Sequence, residues 1–329
     1  MRFPLSILDL APIARGETAS SSIAASVALA QRAEELGYQR VWYAEHHNMP
    51  VIASSATSVL IAHVGAKTNS IRLGAGGVML PNHSPLTIAE QFGTLDAMYP
   101  GRIDLGLGRA PGSDQKTMYA LRRDPASADT FPQDVLELQA YLAGESRVPG
   151  VDAIPGKGSR VPLYILGSSM FGATLAAALG LPYAFASHFA PQLLESAVAA
   201  YRREFRPSEQ LDRPYVIAGV NVLAADTTAQ AQEQLQTSRR VRAVGLFGRG
   251  QALTDEQADQ LLAQGAAQHV DQMLTYAAVG PPGEVGDYLD RFDKTADADE
   301  LIVAHQAPTI EGRLRSVTLL AEAMDSPRA

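Results

Sequence analysis

Gly101-Arg102-Ile103-Asp104-Leu105-Gly106-Leu107-Gly108-Arg109 is the stretch on which the fold turns. It alternates with the two-residue period of a strand. Ile103, Leu105 and Leu107 fall on one face, Asp104, Gly106 and Gly108 on the other. In a barrel the first set meets outer helices and the second lines the interior, with Arg109 emerging at the strand's C-terminal end. The same rhythm continues on both sides. Strand-length runs at 3–10, 40–44, 71–80, 162–166, 182–186, 215–223 and 300–304 alternate with helical stretches at 20–36, 53–66, 86–98, 132–142, 171–179, 192–205, 284–292 and 310–324. Residues 111–131 and 148–161 read as loops, and 227–274 as mostly helical and polar. Such alternation implies a parallel sheet covered by helices. Eight units in 329 residues favour a single (β/α)8 barrel domain over residues 1–329, rather than an open doubly wound sheet, with chemistry at the C-terminal mouth.

Composition narrows the function. The net charge of −8 argues against a general nucleic-acid binder, which needs a basic surface. The absence of cysteine excludes disulfides, zinc thiolate sites, iron–sulfur clusters and a thiol nucleophile. No apolar run reaches the ~20 residues that span a bilayer, and residues 1–9 do not read as a signal peptide, so a cytoplasmic protein without a membrane partner is expected.

Four segments carry chemistry. Glu45-His46-His47 directly follows the strand at 40–44. Adjacent residues on an extended chain point to opposite faces, so His46 and His47 do not both reach one ion without a turn, and the HExxH and CxxC patterns are absent. A packing role for one imidazole stands against a role as proton donor, acceptor or hydrogen-bond donor to a ligand. Ile71 to Pro81 is a strand ending in Gly74, Gly76 and Gly77, which suits either a close approach to a ligand or tight packing inside a barrel. Gly106 and Gly108 do not complete a dinucleotide fingerprint, because Pro111 takes the position of the last glycine, and the Walker pattern is absent. Arg109 beside glycine suits an oxyanion partner or a structural ion pair. Ser168 or Ser169, between a strand and a helix, is a natural N-cap, and that helix start is also a ready anion site.

Together these pieces resemble the bacterial luciferase-like flavin monooxygenase superfamily. The resemblance runs along Gly37 to His47, Leu73 to Pro81, Ala89-Glu90-Gln91 with Leu95-Asp96, and Pro100-Gly101-Arg102 through Arg109, in that order and spacing. It implies a (β/α)8 barrel using reduced FMN, supplied by a separate flavin reductase, and O2 as co-substrate. The flavin C4a-hydroperoxide would oxidise a small organic substrate. The resemblance maps His46 to the catalytic histidine, Arg109 and Ser169 to phosphate binding, and Gly76-Gly77 to a flavin-facing segment with a non-prolyl cis peptide. It sets Glu45 beside His46 as a positioning and cofactor-binding group. The family's phosphate-binding threonine aligns with Gly172, where only a backbone N–H remains, and a family cysteine aligns with Gly108. Residues 245–280 correspond to a mobile active-site loop. No metal is expected, and a homo-oligomer, a dimer in the simplest case, is expected through the helices at 53–66 and 86–98. An F420-dependent oxidoreductase of the same superfamily, a non-catalytic flavin-binding protein and a metal-dependent barrel hydrolase are the alternatives.

Overall fold

The computed structural model describes residues 1–110, 114–248, 251 and 253–325. Nine parallel strands are present among them: β1 Leu5–Asp9, β2 Arg40–Tyr43, β3 Arg72–Met79, β4 Ile103–Gly108, β5 Leu163–Gly167, β6 Tyr183–Phe185, β7 Val216–Ala224, β8 Ala277–Gly280 and β9 Glu300–His305. Their order is β6-β5-β4-β3-β2-β1-β9-β7-β8, and a β6–β7 pairing closes the ring. Eight strands make the barrel, and these are the eight read from the sequence. The four-residue β8 pairs only with β7, at Asn221–Ala224, above the stretch Val216–Ala218 that pairs with β6. It escapes the sequence reading because so short an Ala-rich run has no period to detect.

Alternation sorts the strands into two faces. Ile103, Leu105 and Leu107 join Leu5, Ile7, Val41 and Leu73 in the main apolar core under the helices. The lumen is layered. At the N-terminal end, Arg40 Nε and Nη2 donate to Glu300 at 2.9 and 3.0 Å, and Nη1 donates to Asp104 at 2.8 Å and to Tyr164 Oη at 2.7 Å. Trp42 Nε1 and Arg72 also donate to Asp104, and Tyr215 and Ser6 to Glu300. Each buried carboxylate therefore meets a cation and further donors, which is what burial of charge requires. Above this plug Leu8, Trp42, Tyr164, Ile217 and Ile302 fill the middle. Toward the C-terminal end several inward positions are small, among them Ala44, Gly76, Gly108 and Ala304, beside the larger Leu10, Leu166 and Asn221.

The glycines of β3 and β4 serve packing as well. A Cβ on Gly106 would lie 2.3 Å from the Ala75 carbonyl oxygen, and one on Gly77 2.8 Å from that of Gly106. The β3–β4 register slips between Ala75 and Val78, around a cis peptide bond at Gly76–Gly77.

Two local expectations change. The second helix runs Thr57–Gly65, starting four residues later than expected. Residues before it are tied to the β1 loop: Ala53 N–H donates to Ala11 O, Ser54 Oγ donates to Leu10 O, and Ile52 bridges to Pro12. The expected loop at 111–131 holds a helix, Gln115–Ala120, capped by Asp114 accepting from Thr117 N–H at 2.8 Å. Its Pro111, Gly112 and Ser113 lie outside the described residues. The helical reading of 227–274 holds, with Thr228–Phe247 one helix and Asp255–Leu261 and Ala267–Met273 joined by one π turn. Leu262, Ala266 and Val270 close a small apolar core of their own with Ala243 of helix Thr228–Phe247.

Candidate active site

Four strand ends converge at the barrel mouth. β2 runs into Glu45-His46-His47. Glu45 is buried and works as a hub: its carboxylate accepts from His47 Nε2 and His83 Nε2, both at 2.8 Å, and from Met79 N–H at 3.1 Å. Burial opposes its ionisation, but the His83 contact, the His47 bond and the Met79 N–H outweigh burial and hold the carboxyl below its ordinary range. Glu45 therefore braces β2 against the loop after β3. No hydrogen bond connects it to the His46 ring among the described residues.

His46 is set differently. Its backbone N–H donates to Ser54 O at 3.1 Å, which fixes the chain. Its Nδ1 is buried and has no partner among the described residues. Burial lowers its pKa, Glu45 raises it and His47 lowers it again, with a net shift below the ordinary imidazole value. The ring is thus neutral at neutral pH. Beside it opens a cavity of about 410 Å³ lined by Asn48, Met49, Pro50, Ile52 and Ser55.

Arg109 leaves the end of β4 exposed and makes no ion pair among the described residues. Its guanidinium carbon lies 4.2 Å from the centre of the Phe171 ring. Phe171 is in the first turn of helix Met170–Leu179, so the structure brings Arg109 to the helix start that follows β5. Ser169 stands at the N-cap position with extended backbone, yet its side chain makes no capping bond. The natural cap expected from the sequence is absent as a bond, which leaves both the hydroxyl and the first-turn N–H groups for another acceptor. Gly172 is buried in that turn, where a Cβ would come 3.2 Å from Tyr183. A threonine would crowd this ring.

Glu45, His47 and His83 place three ligand atoms within 4.8 Å of one another, a geometry a cation could use. Their 2.8 Å spacings are hydrogen bonds, and the carboxylate is also engaged by Met79 N–H. The sequence reading did not single out His83, nor three groups deeper in the mouth: His188 after β6, Asn221 on β7 and Arg242 on helix Thr228–Phe247. Asn221 carries the one available signal, as the single polar side chain in the otherwise apolar Val216–Ala224.

A family model, luciferase-like monooxygenase, matches residues 3–299. The chain belongs to the luciferase-like monooxygenase family. It is 48% identical over 319 residues to a protein of Escherichia coli (strain K12) named luciferase-like monooxygenase, covering 95% of each chain. It is 32% identical to the N-acetyl-S-alkylcysteine monooxygenase of Bacillus subtilis (strain 168), covering 97% of this chain and 98% of that one. The crystal structure of apo-MsnO8 superposes with a TM-score of 0.88 at 36% identity, covering 99% of this chain and all of the other. The luciferase-like family points to an oxidoreductase. No described helix is long and apolar enough to cross a membrane.

Proposed function

We propose that this protein is a monooxygenase that uses reduced FMN and O2 to place one oxygen atom on a small organic substrate, the second atom leaving as water. The observation that carries this reading is the pairing of an uncommitted Arg109 with an uncapped helix start at Ser169. An arginine fork and free backbone N–H groups suit a phosphate monoester, the end by which FMN differs from riboflavin. Arg109, Ser169 and the Gly172 N–H would hold that phosphate. The Gly76–Gly77 backbone, with no side chain on its mouth side, would take the flat face of the ring system. Bound reduced FMN supplies the electrons and activates O2.

The protein's own part is binding, orientation and proton handling. Neutral His46 can donate or accept a hydrogen bond at Nδ1, a buried atom that has no other partner. Glu45, locked by His47 and His83, keeps the loop carrying His46 against the β3 end. The apolar middle of the lumen closes the floor to water. A separate reductase is the proposed source of reduced FMN, and the exposed Val59 and Met98 support a homodimer through the helices that carry them.

The test is oxygen labelling. Protein, a flavin reductase, NADH, FMN and 18O2 are incubated with a panel of thioethers, aldehydes, ketones and alkanesulfonates. The thioethers include N-acetyl-S-methylcysteine, chosen for the Bacillus relative's named substrate class. One 18O atom in a product, dependent on FMN, is expected. Substrate oxidation with reduction of F420 and no need for O2 would overturn the reading.

A further inference from the structure

Strand β7 reads Val216-Ile217-Ala218-Gly219-Val220-Asn221-Val222-Leu223-Ala224, with one polar residue in nine. Val216, Ala218, Val220 and Val222 pack in the outer core, while Ile217 lies in the lumen cluster, so Asn221 faces the mouth by the two-residue period. Its amide is oriented by the protein. Nδ2 donates to His188 O at 2.6 Å and to Tyr276 O at 3.3 Å, which turns Oδ1 toward Arg242. Arg242 Nη2 donates to that oxygen at 3.3 Å.

Among the described residues that bond is the one hydrogen bond the Arg242 side chain makes. Its Nε is buried without a partner, and it forms no ion pair among the described residues. No undescribed residue has an acidic side chain. The nearby groups are also basic. His188 is in electrostatic reach of both Arg242 and His46, and the Nδ1 atoms of both imidazoles are buried and unpartnered. Arg40, buried in the lumen, has the carboxylates of Asp104 and Glu300 around it. A guanidinium withdrawn from water and left without a counter-ion is costly, and the cost is recovered when an anion arrives. The site is also separate from the Arg109–Ser169 seat, which lies on β4 and β5.

We propose that Arg242, held by Asn221 and flanked by His188, binds an anionic head group, carboxylate or sulfonate, carried by the organic substrate. The proposal rests on the monooxygenase reading and gives that reaction a substrate class. Arg242 would fix one end of the substrate by a planar two-point contact, with His46 at the other side of the same mouth. A neutral analogue of equal size would leave the guanidinium unpaired and bind poorly.

The experiment compares sodium hexanoate, sodium hexanesulfonate and hexanamide as probes. Each is titrated into the wild type, with and without saturating FMN, while the imidazole 15N resonances of His46 and His188 are followed. FMN and riboflavin affinities are measured on the same samples. One or both anions are expected to shift the His188 resonances and to bind roughly tenfold or more tightly than the amide, the more strongly bound anion naming the head group. Arg242→Gln should reduce anion binding to the level of the amide, with Arg242→Lys between the two. Melting temperatures identify a variant that has lost its fold, and the wild-type preference for acid over amide decides the matter without any variant. Equal binding of acid and amide overturns the proposal. So does an Arg242→Gln variant that loses FMN about tenfold while keeping riboflavin, because the arginine would then serve the cofactor's phosphate. Absence of FMN binding by the wild type strikes the monooxygenase reading instead, and the flavin-free titration still judges Arg242.

Discussion

The guanidinium of Arg109 lies 4.2 Å from the centre of the Phe171 ring, so the residue that leaves β4 stacks on the first turn of the helix after β5. The contact keeps a flexible arginine pointed at the uncapped helix start without using its hydrogen-bonding edge. Arg109→Ala should weaken FMN binding by about 1.5–3 kcal/mol, the worth of charge-assisted hydrogen bonds, and leave riboflavin binding nearly unchanged. Phe171→Ala should weaken it by about 0.5–1 kcal/mol through lost orientation. Isothermal titration with both flavins checks the pair, and equal losses for FMN and riboflavin would remove Arg109 from the phosphate.

His46 is expected to act in the reaction rather than in packing. Its ring nitrogen Nδ1 is enclosed and unpartnered, which a purely structural histidine would not favour. His46→Ala should hold FMN within severalfold and slow substrate oxidation by ~10²–10⁴-fold, with the lost turnover appearing as hydrogen peroxide. Single-turnover rates and melting temperature on one sample separate the roles. A lower melting temperature with an unchanged rate per folded molecule would leave His46 as a packing residue.

Acid should destabilise the fold through two histidines. His188 is pushed down to about 3 by burial, then by Arg242 and His46. His305 is pushed down to about 3 by burial, then by Arg313. Below about pH 6.5 the unfolded chain takes up protons at these residues that the folded chain refuses, so stability is full above that pH and falls as pH drops toward 3. Each contributes a slope of ~1.4 kcal/mol per pH unit in that window. Urea unfolding at pH 7.5, 6 and 5 measures it. His305→Gln should lower the slope by one proton, and an unchanged slope would contradict the assignment.

Val59 and Met98 are 68% and 47% exposed on the helices Thr57–Gly65 and Pro85–Met98, the two helices through which the homodimer is proposed. Light scattering at micromolar concentration should give twice the chain mass, and Val59→Arg should halve it. A wild-type monomer would refute the pairing.

How far the sequence could be read depended on the kind of signal. The eight barrel strands and the inward turn of Asp104 follow from alternation alone, because a strand buried on both faces must sort its residues. The start of the second helix did not, since the bonds of Ala53 and Ser54 to the β1 loop are tertiary and invisible to local pattern. Ser169 shows the limit in another way: its residue type favours a cap, but a cap is a rotamer, and here the hydroxyl is not used for one. Arg242 left no mark at all. A polar helix contains many arginines, and only the folded chain shows that this one is enclosed beside Asn221 and His188 without an acid.

The central claim is that the mouth is built for reduced FMN, held by its phosphate. Anaerobic titration of the wild type with reduced FMN, reduced riboflavin and reduced F420 tests it most directly. The account predicts that reduced FMN binds at least about tenfold more tightly than reduced riboflavin, the worth of one charge-assisted phosphate contact, and that F420 binds more weakly than FMN. Preference for F420, or equal binding of FMN and riboflavin, would contradict it.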